Sequence, residues 1–127
     1  MNDKSKYWIE AAKEDIEVAN VLLSGAKLLY SGFMCHLAVE KALKAKVQSL
    51  DDTPPKIHNL VRLANMGQIY DELLPETQRF LASLNPLQIE ARYPQIKSAI
   101  AASLTKEICM QLIKDAKEFV EWIETLL

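Results

Sequence analysis

Apolar residues recur at three- and four-residue spacing along most of this 127-residue chain, the period of helices that each bury one face. The C-terminal stretch shows it most clearly. Cys109, Leu112, Ala116, Phe119, Ile123 and Leu126 fall on one seam with Trp122 at its edge, Thr105 is placed to cap the segment, and Glu107 lies in its first turn. At the other end a helix is expected from about Asp3 to Ser24, with Asp3 as its cap and Gly25 as its stop. Trp8, Ala12, Ala19, Leu22 and Ala26 form its stripe, and Asp15 interrupts it. A carboxylate there needs a cationic partner or a wet groove.

A second helix is expected from about Tyr30 to Leu50, ended by Asp51-Asp52-Thr53-Pro54-Pro55, because two prolines cannot continue it. Projection separates two unlike faces. Cys35, Ala38, Ala42, Ala45 and Ser49 make a small-residue face suited to a close neighbour, while His36, Glu40, Leu43 and Val47 lie nearly opposite, with Lys41 and Lys44 along the edge. Such a mixture of imidazole, carboxylate, ammonium and aliphatic groups is more typical of an interface or groove than of a solvated face.

A short third helix is expected from about His58 to Met66, capped by His58 or Asn59 and closed by Gly67. A fourth follows from Glu76 to Leu84 with Pro75 at its entry. Asn85-Pro86 breaks the pattern, residues 87–98 are irregular, and Ala91-Arg92-Tyr93-Pro94 reads as a turn at one end of the molecule. Strand alternation, internal repeats and long linkers are absent. These features predict one all-α domain over residues 1–127, an antiparallel up-and-down bundle of about five helices.

Half the residues are apolar and a quarter charged, as in ordinary globular domains, and the net charge is -2. That balance gives no basic field for general DNA binding. The first residues lack the apolar core of a secretory signal, and no apolar run approaches the ~18 residues of a membrane span, so a cytoplasmic protein without a membrane partner is expected. Cys35 and Cys109 are too far apart for a CxxC motif and sit in apolar patterns, which reads as two buried free thiols.

Nucleophilic catalysis has no GxSxG elbow to work from, and Cys35 and His36, adjacent on a helix, point about 100° apart. Neither GxxxxGK[ST] nor GxGxxG occurs, so any phosphate contact must come from Lys, Arg or helix N-termini. His36 and Glu40, spaced i, i+4, could share a metal with Asp15 or His58, but the repeated Glu-x-x-His pairs of di-metal bundles are missing. A His36–Glu40 hydrogen bond without metal or cofactor is the expectation, beside a Glu40–Lys44 pair. Arg92 in its proline-bounded turn either ties down a helix end or presents its fork to a phosphate.

Taken in order, Trp8, Ala12 and Glu14-Asp15, then Cys35-His36-Leu37-Ala38-Val39-Glu40-Lys41-Ala42-Leu43-Lys44-Ala45, Pro55-x-x-His58-Asn59-Leu60, Ala91-Arg92-Tyr93-Pro94 and Ala116 with Trp122-Ile123 resemble the HEPN family of prokaryotic helical domains over nearly the whole chain. The resemblance implies a helical bundle, a homodimer and partnership with a minimal nucleotidyltransferase in a two-component, toxin–antitoxin-like system. Some members are ribonuclease toxins that use an arginine followed about five to seven positions later by a histidine; others lack that pair and bind nucleotide-like ligands. Arg92 matches the arginine, but His36 and His58 both precede it. The resemblance therefore implies a non-catalytic module for a nucleotide or other phosphate-bearing ligand, with Lys41, Lys44 and Arg92 as phosphate contacts and His36, Glu40 and His58 as further lining. The alternatives are a pure interaction or dimerisation module and, disfavoured by the order of its histidines, a ribonuclease toxin.

Overall fold

A computed structural model describes residues 1–90 and 92–127. Among these described residues there are six α-helices and two 3-10 turns, and no strand. The helices are α1 (Asp3–Ser24), α2 (Leu28–Gln48), α3 (Leu60–Met66), α4 (Pro75–Leu84), α5 (Pro94–Ser103) and α6 (Lys106–Thr125), with 3-10 turns at Tyr70–Glu72 and Asn85–Leu87. None of these helices is long and apolar enough to cross a membrane.

The centre is α2. Thirteen of its 21 residues are buried, distributed around the whole circumference, so it is wrapped by neighbours instead of covering a core from one side. It forms an antiparallel hairpin with α1, and the small side chains Ala12, Ala19, Cys35, Ala38, Ala42 and Ala45, all without exposure, let the two backbones approach. Two buried serines fasten the hairpin at its ends. Ser5 Oγ donates to the Ala45 carbonyl at 3.0 Å, and Ser31 Oγ to that of Ala19 at 2.9 Å.

The last long helix lies against both. Cys109 near its start sits beside Leu28 at the start of α2, and Glu124 near its end pairs with Lys13, so α6 runs alongside α2 and opposite to α1. Ile113, Ala116, Phe119, Val120 and Ile123 close the core from that side. Between them, α3 and α4 cover the remaining flank of α2 with Leu60, Leu63, Leu81 and Leu84, each fully buried. Both cysteines are buried free thiols, as the sequence suggests.

Several boundaries differ from expectation for identifiable reasons. The α1 cap is Asn2, whose side chain accepts from Ser5 N at 2.7 Å, one residue before Asp3. Pro94 opens a helix where an irregular segment was expected; at the first helical position its fixed φ suits the turn and its missing N–H is no loss. No residue of α5 is fully buried; Ile100 and Ala101 are half-buried, with Ile100 packed against the core, so its apolar stripe is short and weak. Ala91, within the expected Ala91–Pro94 turn, lies outside the described residues.

The stop of α1 also shifts. Gly25 has an ordinary φ of -86°, and Ala26 takes the left-handed conformation at φ 58°. Lys27 N donates to Leu22 O at 2.8 Å and Ala26 N to Leu23 O at 3.0 Å, the paired closure of a Schellman motif with Ala26 in the place that favours glycine. An L-residue there costs on the order of 1 kcal/mol. Ala26→Gly is therefore expected to raise the free energy of unfolding by up to about 1 kcal/mol, read as a higher urea midpoint at unchanged slope.

Candidate functional site

The polar strip of α2 is interior. His36 has no exposure, Glu40 has 5% and Lys44 has 7%, which places three ionisable groups in the low-dielectric shell around the helix. An isolated charge there would be costly, so each group needs partners. Glu40 supplies most of them. Its Oε1 accepts from His58 Nδ1 at 2.9 Å and from His36 Nε2 at 3.2 Å, and its Oε2 accepts from Lys44 Nζ at 3.0 Å. Lys44 also sits over the Trp8 ring, 5.7 Å from its centroid.

Hydrogen-bond polarity fixes the imidazoles. The Leu84 carbonyl can only accept, so His36 Nδ1, 2.9 Å away, donates and satisfies a carbonyl at the end of α4. His36 makes this bond and the Glu40 bond together only with a proton on each ring nitrogen. For His58 the Glu40 contact puts a proton on Nδ1, and the half-exposed ring keeps Nε2 for other partners.

Burial alone would raise the Glu40 carboxyl. Hydrogen bonds from His36, Lys44 and His58, together with the Lys44 charge, override it and hold the group at about 2, below its ordinary 4.5. Asp15 behaves oppositely. Burial pushes it above its ordinary 3.8 despite the Lys41 ammonium at 2.8 Å. The cation that Asp15 needed on the α1 stripe is thus Lys41 of α2.

Beside this network lies an open groove of about 600 Å³ lined by His58, Asn59, Asn85, Gln88, Glu90 and Arg92. Three of these are carboxamides, and the oxygen of each is committed to backbone. Asn59 Oδ1 caps α3 by accepting from Arg62 N at 3.1 Å, Asn85 Oδ1 accepts from Leu60 N at 2.9 Å, and Gln88 Oε1 accepts from Glu90 N at 2.9 Å. Their NH₂ groups have no partner among the described residues. Arg92 spends Nε on the Gln88 carbonyl at 3.1 Å, which leaves the terminal guanidinium nitrogens for other contacts. A groove built this way offers many donors against one carboxylate, Glu90, and its chemistry suits a ligand rich in oxygen acceptors.

Of the six residues singled out in the sequence, the structure brings His58 and Arg92 to this groove. His36, Glu40 and Lys44 are one layer deeper, and Lys41 is on the α1 side with Asp15. Both lysines are paired with carboxylates inside the chain. Asn59, Asn85, Gln88 and Glu90 line the groove as well, beyond the residues that the sequence points to. The polar composition around Asn85-Pro86 was the available signal, since asparagine before proline favours a side chain turned onto backbone. Among the described residues no cluster of three or more acidic, histidine or cysteine side chains is placed to hold a metal ion.

A family model described as "HEPN domain" matches residues 5–126. No curated protein matches by sequence. Among solved structures, TT1696 from Thermus thermophilus is similar with a TM-score of 0.83 at 18% identity, covering 99% of this chain and 100% of that one. ST0689, described as an archaeal HEPN homologue, is similar with a TM-score of 0.74 at 20% identity, covering 98% of each chain. At those identities the likeness is one of fold.

The acid response of Glu40 can be measured. Because its folded value lies below the ordinary one, its stabilising contribution is full above pH 4.5 and is lost as pH falls toward 2. Asp15, shifted upward, works the other way: its ionisation favours the unfolded chain. Glu40→Gln, which leaves Lys44 buried without its counter-charge, is expected to cost about 3 kcal/mol at neutral pH. The wild-type advantage should shrink between pH 4.5 and pH 2 in urea titrations, and a constant difference would rule out this account.

Proposed function

The chain belongs to the HEPN domain family, and on that premise we propose that it is a ligand-binding module that takes a phosphate-bearing molecule, a nucleotide above all, in the groove between His58 and Arg92. The observation that carries this reading is the orientation of Asn59, Asn85 and Gln88. Each oxygen accepts from a backbone N–H, which leaves the three NH₂ groups as donors without a partner among the described residues, alongside the free end of Arg92. Phosphate offers the matching acceptors. Lys41 and Lys44, which the family resemblance suggested as phosphate contacts, would first have to leave Asp15 and Glu40, so Arg92 carries the main charge in this proposal. The proposal retains a homodimer and a minimal nucleotidyltransferase partner of a two-component system, on the strength of the resemblance.

A second reading is favoured by one specific contact. His58 precedes Arg92 in the chain, yet both line the same groove, and a buried carboxylate orients the His58 ring through Nδ1. An imidazole oriented by an acid, with Nε2 available, is the arrangement of a general base. His58 still lies outside the family's arginine-then-histidine order, and what supports this reading is its place in the same groove as Arg92.

Calorimetry with ATP, GTP and AMP tests the first reading. Arg92→Ala should weaken binding about tenfold or more, the effect of losing one or two charge-assisted hydrogen bonds. Gln88→Glu, which keeps the acceptor for Glu90 N and replaces the donor by a charge, should do at least as much, while Lys41→Ala should leave affinity unchanged. Absence of heat with every nucleotide at millimolar concentration would sink the binding proposal. RNA cleavage by the wild type that disappears in His58→Ala, with helix content intact, would establish the second reading; intact RNA would remove it.

A further inference from the structure

The Tyr70–Glu72 turn, α4 and α6 enclose a second groove of about 420 Å³. Its floor is apolar. Leu73 and Phe119 are buried there, Phe80 and Trp122 are half-buried, and Leu74 stands 62% exposed at the lip. Phe119 and Trp122 pack with ring centroids 5.9 Å apart. The rim is acidic on both sides, with Glu72 and Glu76 on one wall and Asp115 and Glu118 on the other. None of the four forms a salt bridge among the described residues, and no Lys or Arg lines the groove.

We propose that this groove is a docking site for a cationic amphipathic segment of a partner protein, whose apolar residues seat on Leu73, Phe80 and Trp122 while flanking Lys or Arg side chains bridge the two acidic walls. Charge decides the occupant. Nucleic acid is repelled by four carboxylates. A metal ion needs convergent ligands, and among the described residues no three of the acids gather around one point. A second copy meeting this face about a two-fold axis would set acidic rim against acidic rim, because such contacts use the same patch on both subunits. A helix or extended segment with positive flanks satisfies both the floor and the rim. The near wall is held in place before any partner arrives, since Gln78 Nε2 donates to the Tyr70 carbonyl at 3.1 Å and ties the turn to α4.

The test pans a library of random peptides, roughly three helical turns long, against the intact protein, with the Glu76→Lys/Glu118→Lys double variant as counter-screen. Both positions are exposed, so the variant should keep the wild-type circular dichroism. Recovered peptides are expected to combine aromatic or leucine anchors with Lys or Arg flanks, and to lose about tenfold or more in affinity for the double variant. They should shift the Trp122 indole resonance in a heteronuclear NMR spectrum and leave that of Trp8 in place. Recovery of neutral or acidic peptides, equal affinity for the double variant, shifts confined to other surfaces, or no enrichment at all would each overturn the proposal.

Discussion

The carboxylate of Glu40 is the point on which the packing of this domain turns. Taking one negative charge into the shell around α2 costs several kcal/mol unless it is met by donors of good geometry. Three donors meet it: His36 one turn back on α2, Lys44 one turn on, and His58 from the segment leading into α3. His36 carries the connection onward to the Leu84 carbonyl at the end of α4, and Lys44 carries it to Trp8 on α1. One acid thereby registers four elements against one another. Apolar contacts among leucines and alanines tolerate sliding that these hydrogen bonds do not, so the network fixes which arrangement of the helices is the native one.

How much of this was legible in the sequence depends on the range of the interaction. Local rules sufficed for the Thr105 cap, the seam from Cys109 to Ile123, and the Glu40–Lys44 spacing. They also flagged Asp15 as needing a cation, though not that Lys41 would supply it. Projection separates the small face of α2 from the polar strip, and the structure buries His36, Glu40 and Lys44 of that strip. A strip with that mixture of groups can be buried as well as wetted, and only its neighbours decide. The α5 helix is hard to read in the sequence because its inward stripe is short and only half-buried, at Lys97, Ile100 and Ala101. The donor-lined groove was beyond sequence reasoning, since it depends on Asn85 capping a backbone N–H 25 residues away.

The two grooves are opposite in kind. One collects donors, because the backbone has taken the acceptor from every amide that lines it; the other collects carboxylates over an apolar floor. A net charge of -2 conceals this contrast, which is why composition could exclude a general affinity for DNA without describing any local surface. With both faces on a bundle whose fold is shared at under 25% identity with the solved structures above, specificity in such domains is expected to reside in rim residues and turns. The core needs only to keep its shape.

The His58 ring has one further consequence. Its Nδ1 proton is pledged to a buried acid, while its Nε2 is open to whatever occupies the groove. An anion can use Nε2 only as a donor, whereas a donor group on a ligand can use it only as an acceptor. The buried carboxylate, which does not line the groove, thereby decides which ring nitrogen the groove is offered.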